Sequence, residues 1–407
     1  MSPNLTSTVI RIAAKGDGQT QDGRFVALTA PGDQVAPDGS ITPGLHHAQP
    51  PCRHFPQCGG CQLQQLDEES WRDFVTDRVA NAAEGQGLKP EILEPAELSP
   101  PRTRRRATLH AEARGKSVRI GFREERSHNI VDMQQCEVLA PELFALVAPL
   151  RRLIAGFGRK RLSADIQLTL CDQGVDCNIS GYTPEGLAET EALIGFAQQN
   201  GLARLTLNDG YGPETHWEPE PATVTLSGVA VSLPPGSFLQ PTREGEAALV
   251  SAASEWLAGA KHAADLFSGL GTFAFALSAK SSAGGAKVLA AEAARDAFLA
   301  CKGAAGTSQR QVFAMHRDLF RNPLQADELA RFDAVLLDPP RAGAREQVAR
   351  LAESAVARIC YISCNPSSWA KDAAVLVAGG YRLVKLRPVG QFRWSTHVEL
   401  ASLFARD

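Results

Sequence analysis

Three short segments of the chain hold side chains able to make and break covalent bonds: Asp338-Pro-Pro-Arg341, Tyr361-Ile-Ser-Cys-Asn-Pro366 and Phe392-Arg-Trp-Ser-Thr-His-Val-Glu399. The first two end apolar runs and the third leads into one (residues 334–337, 359–363 and 400–404). Such placement sets Asp338, Cys364 and Glu399 at one edge of a buried sheet. A cysteine at a positively polarised turn is a competent nucleophile, and a carboxylate just before a buried strand is a candidate base. Cys360, mid-run, reads instead as a structural thiol. Methylases of exocyclic amines carry an aromatic residue after the two prolines, where Arg341 stands, so an amine target is disfavoured. One thiol, one base and a methyl donor are what methylation of a pyrimidine C5 requires. C5 is weakly nucleophilic, so sulfur must first add to C6, and a base must later remove the C5 proton. The region around Asp338 has no second cysteine, which favours uracil over cytosine. C6 is hidden in a base stack, so the target nucleotide has to be flipped out.

A donor site is legible further upstream. Asp265-Leu-Phe-Ser-Gly-Leu-Gly-Thr-Phe273 ends one apolar run and opens a helix, with Gly269 and Gly271 allowing a tight turn near a ligand. The third glycine of a dinucleotide fingerprint is missing. Glu292 ends the next strand, where a carboxylate bonds ribose hydroxyls, and Asp318 follows another apolar run, within reach of an adenine amino group. Together these favour S-adenosyl-L-methionine over a dinucleotide.

Cys52, Cys58 and Cys61 fall within ten residues, and Cys136 lies further on. Only one C-x2-C pair is present, which suits a 4Fe-4S cluster better than zinc; a metal-free cluster of thiols is the third reading.

The elements that must position these groups fall into three parts. Residues 1–50, rich in Gly, Pro and Asp, form a short β-element with strands at 8–12 and 24–28. Residues 51–240 are β-rich after a helical stretch at 66–94, with strands near 107–110, 117–121, 165–170, 175–179, 205–207 and 224–233. Residues 241–407 alternate apolar strands (263–267, 288–291, 334–337, 359–363) with helical stretches, the pattern of a doubly wound α/β sheet. The chain has 407 residues, is 44% hydrophobic and 21% charged, and so can bury an ordinary core without a disulfide scaffold. A net charge of −3 argues against a histone-like binder, yet residues 102–126 hold nine Lys and Arg against three Glu. That run, with Arg159-Lys160-Arg161, is the expected phosphate-contacting surface. No apolar run approaches the roughly 20 residues of a membrane span, and residues 9–14 are too short and too interrupted for a signal peptide. The expectation is a cytoplasmic monomer.

On these motifs the chain resembles the RNA uracil-C5 methyltransferase family, in particular the iron–sulfur branch that modifies 23S ribosomal RNA. The resemblance extends from about Pro51 to the C-terminus. It implies a Rossmann-like class I methyltransferase domain after a β-rich RNA-binding domain, and a cluster held by Cys52, Cys58, Cys61 and Cys136. The motif Gly236-Ser-Phe-Leu-Gln240 resembles the element in which Gln240 touches the donor and Phe238 lies by the target base. Phe267, Thr272, Glu292, Asp318 and Asp338 would line the donor site, with Cys364 as nucleophile and Glu399 as base. The family usually has Asn where Thr242, Thr272 and Asp318 stand, and it usually begins with a complete TRAM barrel, for which 50 residues are too few. A transfer RNA uracil-C5 methyltransferase shares all this chemistry. A non-catalytic iron–sulfur RNA-binding protein is the reading from another class.

Overall fold

A computed structural model describes residues 6–115, 117–279 and 285–406; Lys116 of the basic run lies outside them. Five short strands open the chain: Ser7–Ile12, Gly18–Thr20, Phe25–Val26, Gln34–Val35 and Ile41–Thr42. The first strand lies central, flanked by the second and fourth. Asp33, fully buried, ties the turns together by accepting from the Ala30 and Gly44 amides and bonding the His47 ring.

The expected helix at 66–94 is shorter, Glu68–Glu84, with Asp67 capping it by accepting from the Ser70 N–H. Gly85, Gly87 and Pro90 end it, as residues poor in helix propensity do. Its buried face (Trp71, Phe74, Val75, Val79) does not pack on the β-rich part that follows. It shares a core with Tyr361, Trp369, Leu386 and Phe404 of the C-terminal sheet. Burying Trp71 and Phe74 contributes about 2–3 kcal/mol each. The chain then adds Ile92–Leu93 and Glu97–Leu98 as parallel strands to the edge strand Arg382–Gly390.

A six-stranded sheet comes next, with Gly174–Ser180 and Leu162–Cys171 at its centre, Ser117–Gly121 at one edge and Arg106–Arg114 between that edge and Leu162–Cys171. Along Arg106–Arg114 burial alternates as the side-chain period of two requires. Ala107, Leu109, Ala111 and Ala113 face helices Val147–Gly156 and Leu187–Gln199, and the other face is open. The strand expected over 224–233 is instead a hairpin, Thr223–Leu226 with Val229–Ser232. Ser227 and Gly228 both have positive φ (48° and 80°), as a two-residue hairpin turn demands.

The C-terminal part is the expected doubly wound sheet. Its strand order is Val312–His316, Lys287–Glu292, His262–Leu266, Ala334–Leu337, Arg358–Ser363, Glu399–Ala405, Arg382–Gly390. The first five are parallel, and Glu399–Ala405 inserts antiparallel between its neighbours. Ala334–Leu337 is buried at every residue, being covered on both faces. His262–Leu266 pairs with Lys287–Glu292 on one side and Ala334–Leu337 on the other. The winding direction reverses there, and a ligand crevice opens beyond the carboxyl ends of such strands. Among the described residues no helix is long and apolar enough to cross a membrane.

Candidate active site

At that switch point lies a cleft of about 730 Å³, well within the size range of small-molecule sites. Strand His262–Leu266 runs into Phe267, held at φ 65°, and then into the glycine turn. Gly271 (φ 93°) begins helix Thr272–Leu277, and a Cβ there would lie 2.9 Å from the Cys301 sulfur. Glu292 holds this turn from the next strand: its Oε2 accepts the Gly269 N–H at 2.8 Å and its Oε1 the Ala294 N–H at 2.6 Å. Phe267, Thr272 and Glu292 line the cleft together with Gln240, Phe238, Asp338, Cys364 and Glu399.

Asp318 is placed differently. Its Oδ1 accepts the Phe320 and Arg321 amides of its own loop, and that loop meets the cleft through Leu319 and Phe320 instead. Phe320 sits 5.3 Å from the Phe267 ring, a tilted aromatic pair at the mouth that residue type and spacing had not singled out.

A second chamber of about 650 Å³ adjoins the first and shares Phe238, Arg341, Cys364 and Glu399 with it. Its other walls include Arg104, Arg106, Arg123, Arg126, Phe122, Phe392 and His397. Phe238 is exposed at 61%, with the Arg106 guanidinium 5.7 Å from its ring. Such an uncovered aromatic face is a stacking platform. Arg341, in the place of an amine methylase's aromatic, hydrogen-bonds the His397 ring at 3.2 Å.

The reactive groups are strongly perturbed. Burial pushes Glu399 up to about 7, with the Gln391 amide partly offsetting it. Asp338 is held well above the usual carboxylate range by desolvation, then by Glu399 and Asp265. Burial, then Glu399 and Asp338, push Cys364 up to about 11, against which Arg341 works only weakly. The turn was expected to favour a thiolate. Burial, with the two nearby carboxylates adding to it, outweighs the turn and favours the thiol. Asn365 caps helix Pro366–Ala378 and bonds the Arg341 carbonyl through its side chain, which ties the Cys364 turn to the Asp338 loop.

Two residues behind the cleft escaped the sequence reading. Gln391, 1% exposed, donates from Nε2 to Gln240 Oε1 at 2.8 Å. Arg105, expected to meet phosphate, is buried: it donates to the Gln240 carbonyl and pairs with Glu246 at 2.6 Å. Arg159 is likewise engaged by Glu189 and Tyr182. Arg114, Arg119 and Arg123 line a polar groove on the open face of the six-stranded sheet. Arg123 also lines the second chamber, so groove and chamber share that side chain as a wall.

Cys52, Cys58, Cys61 and Cys136 line one small cavity with Phe55, Phe122 and Met133. Burial raises Cys58, Cys61 and Cys136, Cys61 to about 12, while the backbone N–H groups of Val138 and Leu139 point at the Cys136 sulfur. Distant in sequence from the chemistry, this nest is adjacent to it in space. Gly60 and Phe122 border both the nest and the second chamber. The half-buried Arg104 feels the Cys136 and Cys61 thiols and lies over the Phe122 and Phe392 rings.

Comparison with known proteins agrees with this geometry. The tRNA (Uracil-5-)-methyltransferase family profile matches residues 227–407. An uncharacterised RNA methyltransferase of Zymomonas mobilis is 48% identical, over 98% of this chain and 99% of that protein. The 23S rRNA (uracil(1939)-C(5))-methyltransferase RlmD of Pectobacterium atrosepticum is 30% identical, over 99% and 94%. In fold, the Pyrococcus abyssi tRNA (uracil-54, C5)-methyltransferase, solved with S-adenosyl-L-homocysteine, superposes with a TM-score of 0.74 at 22% identity, covering 98% of this chain and 99% of that one. With whole-chain relatives at these identities, the chain belongs to the RNA uracil-C5 methyltransferase family.

Proposed function

We propose that this protein transfers a methyl group from S-adenosyl-L-methionine to C5 of one uridine in 23S ribosomal RNA. The observation that carries the reading is the meeting of two chambers at Cys364 and Glu399. The first has the glycine turn, the ribose-facing carboxylate Glu292 and aromatic walls suited to a nucleoside donor. The second is arginine-lined, and Phe238 at the junction can stack on a flipped base. Cys364 Sγ gives its proton to solvent water and adds to C6, moving the ring electrons onto C5 and O4. C5 takes the methyl from the donor's sulfonium, leaving S-adenosyl-L-homocysteine. Glu399 then removes the C5 proton, and the returning electron pair expels the Cys364 thiolate from C6.

The preference for 23S ribosomal RNA rests on the full-length likeness to RlmD and on the cysteine nest. A transfer RNA substrate uses the same chemistry. The nest suits a 4Fe-4S cluster. Among the described residues no three of the four sulfurs lie within 4.8 Å of one another, whereas sulfurs around a single zinc are about 3.8 Å apart. A cuboidal cluster needs the wider set. Held by Cys52, Cys58, Cys61 and Cys136, it would cross-link the chain beside the RNA chamber, since no step of the reaction needs an electron.

Mass-spectrometric mapping of 5-methyluridine in ribosomal and transfer RNA, from cells with and without the gene, tests the proposal. Loss at one 23S position is expected. Loss in transfer RNA alone would reassign the substrate, and loss in neither would overturn the reading.

A further inference from the structure

Arg104 and Arg106 stand two residues apart where the strand Arg106–Arg114 begins. The side-chain period of two puts both on one face and Arg105, between them, on the other. Arg105 pairs there with Glu246. Arg104 and Arg106 instead line the second chamber, and neither lines the donor cleft. Both are held in place by the protein. Arg104 donates from its backbone N–H to the Val138 carbonyl and accepts the Ala140 N–H, both at 3.0 Å, and its Nε donates to the Arg106 carbonyl at 3.1 Å. Its guanidinium lies over the Phe122 and Phe392 rings, and that of Arg106 over the Phe238 ring.

Among the described residues neither guanidinium pairs with a carboxylate, whereas the more buried Arg105, Arg204 and Arg387 pair with Glu246, Asp176 and Glu94. Arg106 Nη2 reaches only Gln167 Oε1, at 3.4 Å, and its Nε is buried without a partner. The carboxylates on the chamber's wall are engaged elsewhere. Glu124 accepts from Gln57 and Asn129, and Glu125 lies 3.4 Å from Arg126. Two half-buried cations side by side are costly until an anion completes them.

Resting on the uracil-C5 reading above, we infer that Arg104 and Arg106 form the binding site for a backbone phosphodiester of the target nucleotide, holding the flipped uridine by its charge as Phe238 holds it by its ring. A phosphodiester brings one negative charge and two unbridged oxygens, which two guanidinium forks can share. Arg106 Cζ is 5.7 Å from the Phe238 ring centre, so a phosphate on the guanidinium and a base on the ring can belong to one nucleotide. The other anion at hand, the carboxylate of the methyl donor, goes with the cleft that neither arginine lines. Flipping costs the base its stacking and pairing. A phosphate fixed on this wall offsets part of that cost and keeps the nucleotide in the chamber that Cys364 also lines.

The test uses the full-length protein and synthetic RNA spanning the mapped uridine. A neutral methylphosphonate replaces the phosphodiester on the 5′ or the 3′ side of that uridine or, as a control, one several nucleotides away. Binding is measured at fixed salt for the wild type, Arg104→Gln and Arg106→Gln. At one of the two adjacent linkages the wild type is expected to lose about 10- to 100-fold in affinity. Each variant is expected to lose less than about threefold from the same change, because the partner is already gone. The control linkage is expected to cost all three proteins equally. Arg106→Lys, which keeps the charge and loses the fork, is expected to fall between wild type and Arg106→Gln. Losses from variant and methylphosphonate that simply multiply at both adjacent linkages, or a wild type indifferent to both, would overturn the inference. Trapping on RNA with 5-fluorouridine at the target is read separately. Fluorine at C5 blocks the base's step, so a wild type that forms no denaturation-resistant adduct would overturn the uracil-C5 reading itself.

Discussion

Glu292 Oε2 accepts the backbone N–H of Gly269 at 2.8 Å, so the tip of one strand holds the glycine turn of its neighbour in place. With Oε1 on the Ala294 N–H as well, the carboxylate organises the floor of the donor cleft before a ligand arrives. Hydrogen bonds to a charged group are worth about 1.5–3 kcal/mol. Glu292→Gln is expected to weaken S-adenosyl-L-homocysteine binding by about 10- to 100-fold in calorimetry. Asp318→Asn, whose carboxylate serves only its own loop, is expected to change it by less than about threefold.

The roles of Cys364 and Glu399 separate by what accumulates. Cys364→Ala is expected to abolish methyl transfer and form no adduct. Glu399→Gln is expected to methylate and then stall, leaving a covalent RNA–protein complex that survives denaturing electrophoresis. Free methylated RNA at wild-type rate from either variant would reassign that residue.

Glu399, raised to about 7, sets a pH dependence in both activity and stability. As a base it acts when ionised, so single-turnover product release should fall about tenfold per unit as pH drops below 7. Stability runs the other way. A carboxyl raised above its unfolded value of 4.5 favours the fold below that value, and the contribution is lost as pH rises through about 7. Over these pH values the RNA-free wild type is expected to lose about 3 kcal/mol more than Glu399→Gln, measured by urea unfolding.

The arginines of the basic run divide by partner. Arg105→Leu leaves the partly buried Glu246 without its cation and is expected to cost about 2–3 kcal/mol of stability. Arg123→Ala, on the wall shared by groove and chamber, is expected to leave the melting temperature unchanged. It should reduce the slope of log K against log salt for RNA binding by about 1. The reverse pattern would exchange their roles.

For the cysteine nest, anaerobic purification is expected to give a brown protein with four irons per chain, and Cys136→Ala to lose both iron and stability. One zinc per chain would refute the cluster.

Much of this site is written at strand ends. Because the parallel strands are buried on both faces, their apolar runs stop where the crevice begins, and Asp338, Cys364 and Glu292 stand out there. Which side chain of a turn points inward is set by backbone torsions that residue type does not record. Phe320 therefore faces the cleft where Asp318 was expected. Gln391 gave no signal at all, since an amide matters only through what it touches. The helix Glu68–Glu84 was legible from its period, but its partner was not: two-residue strands such as Ile92–Leu93 carry no pattern to show which sheet they join. The closeness of Cys136 to the catalytic chamber is likewise a product of tertiary folding, with no local trace.

The stitching of residues 68–98 onto strands Arg382–Gly390 and Glu399–Ala405 has a consequence for the order in which the molecule is made. The early helix and its two short strands leave the ribosome long before the surface they bury against exists. The cysteine nest draws on residues to either side of that segment. Contacts so distant along the chain close late and expose apolar surface while they wait. The four cysteines are therefore expected to come together only once the last strands arrive, and a chain interrupted before residue 382 would leave the helix Glu68–Glu84 and its two short strands without their support.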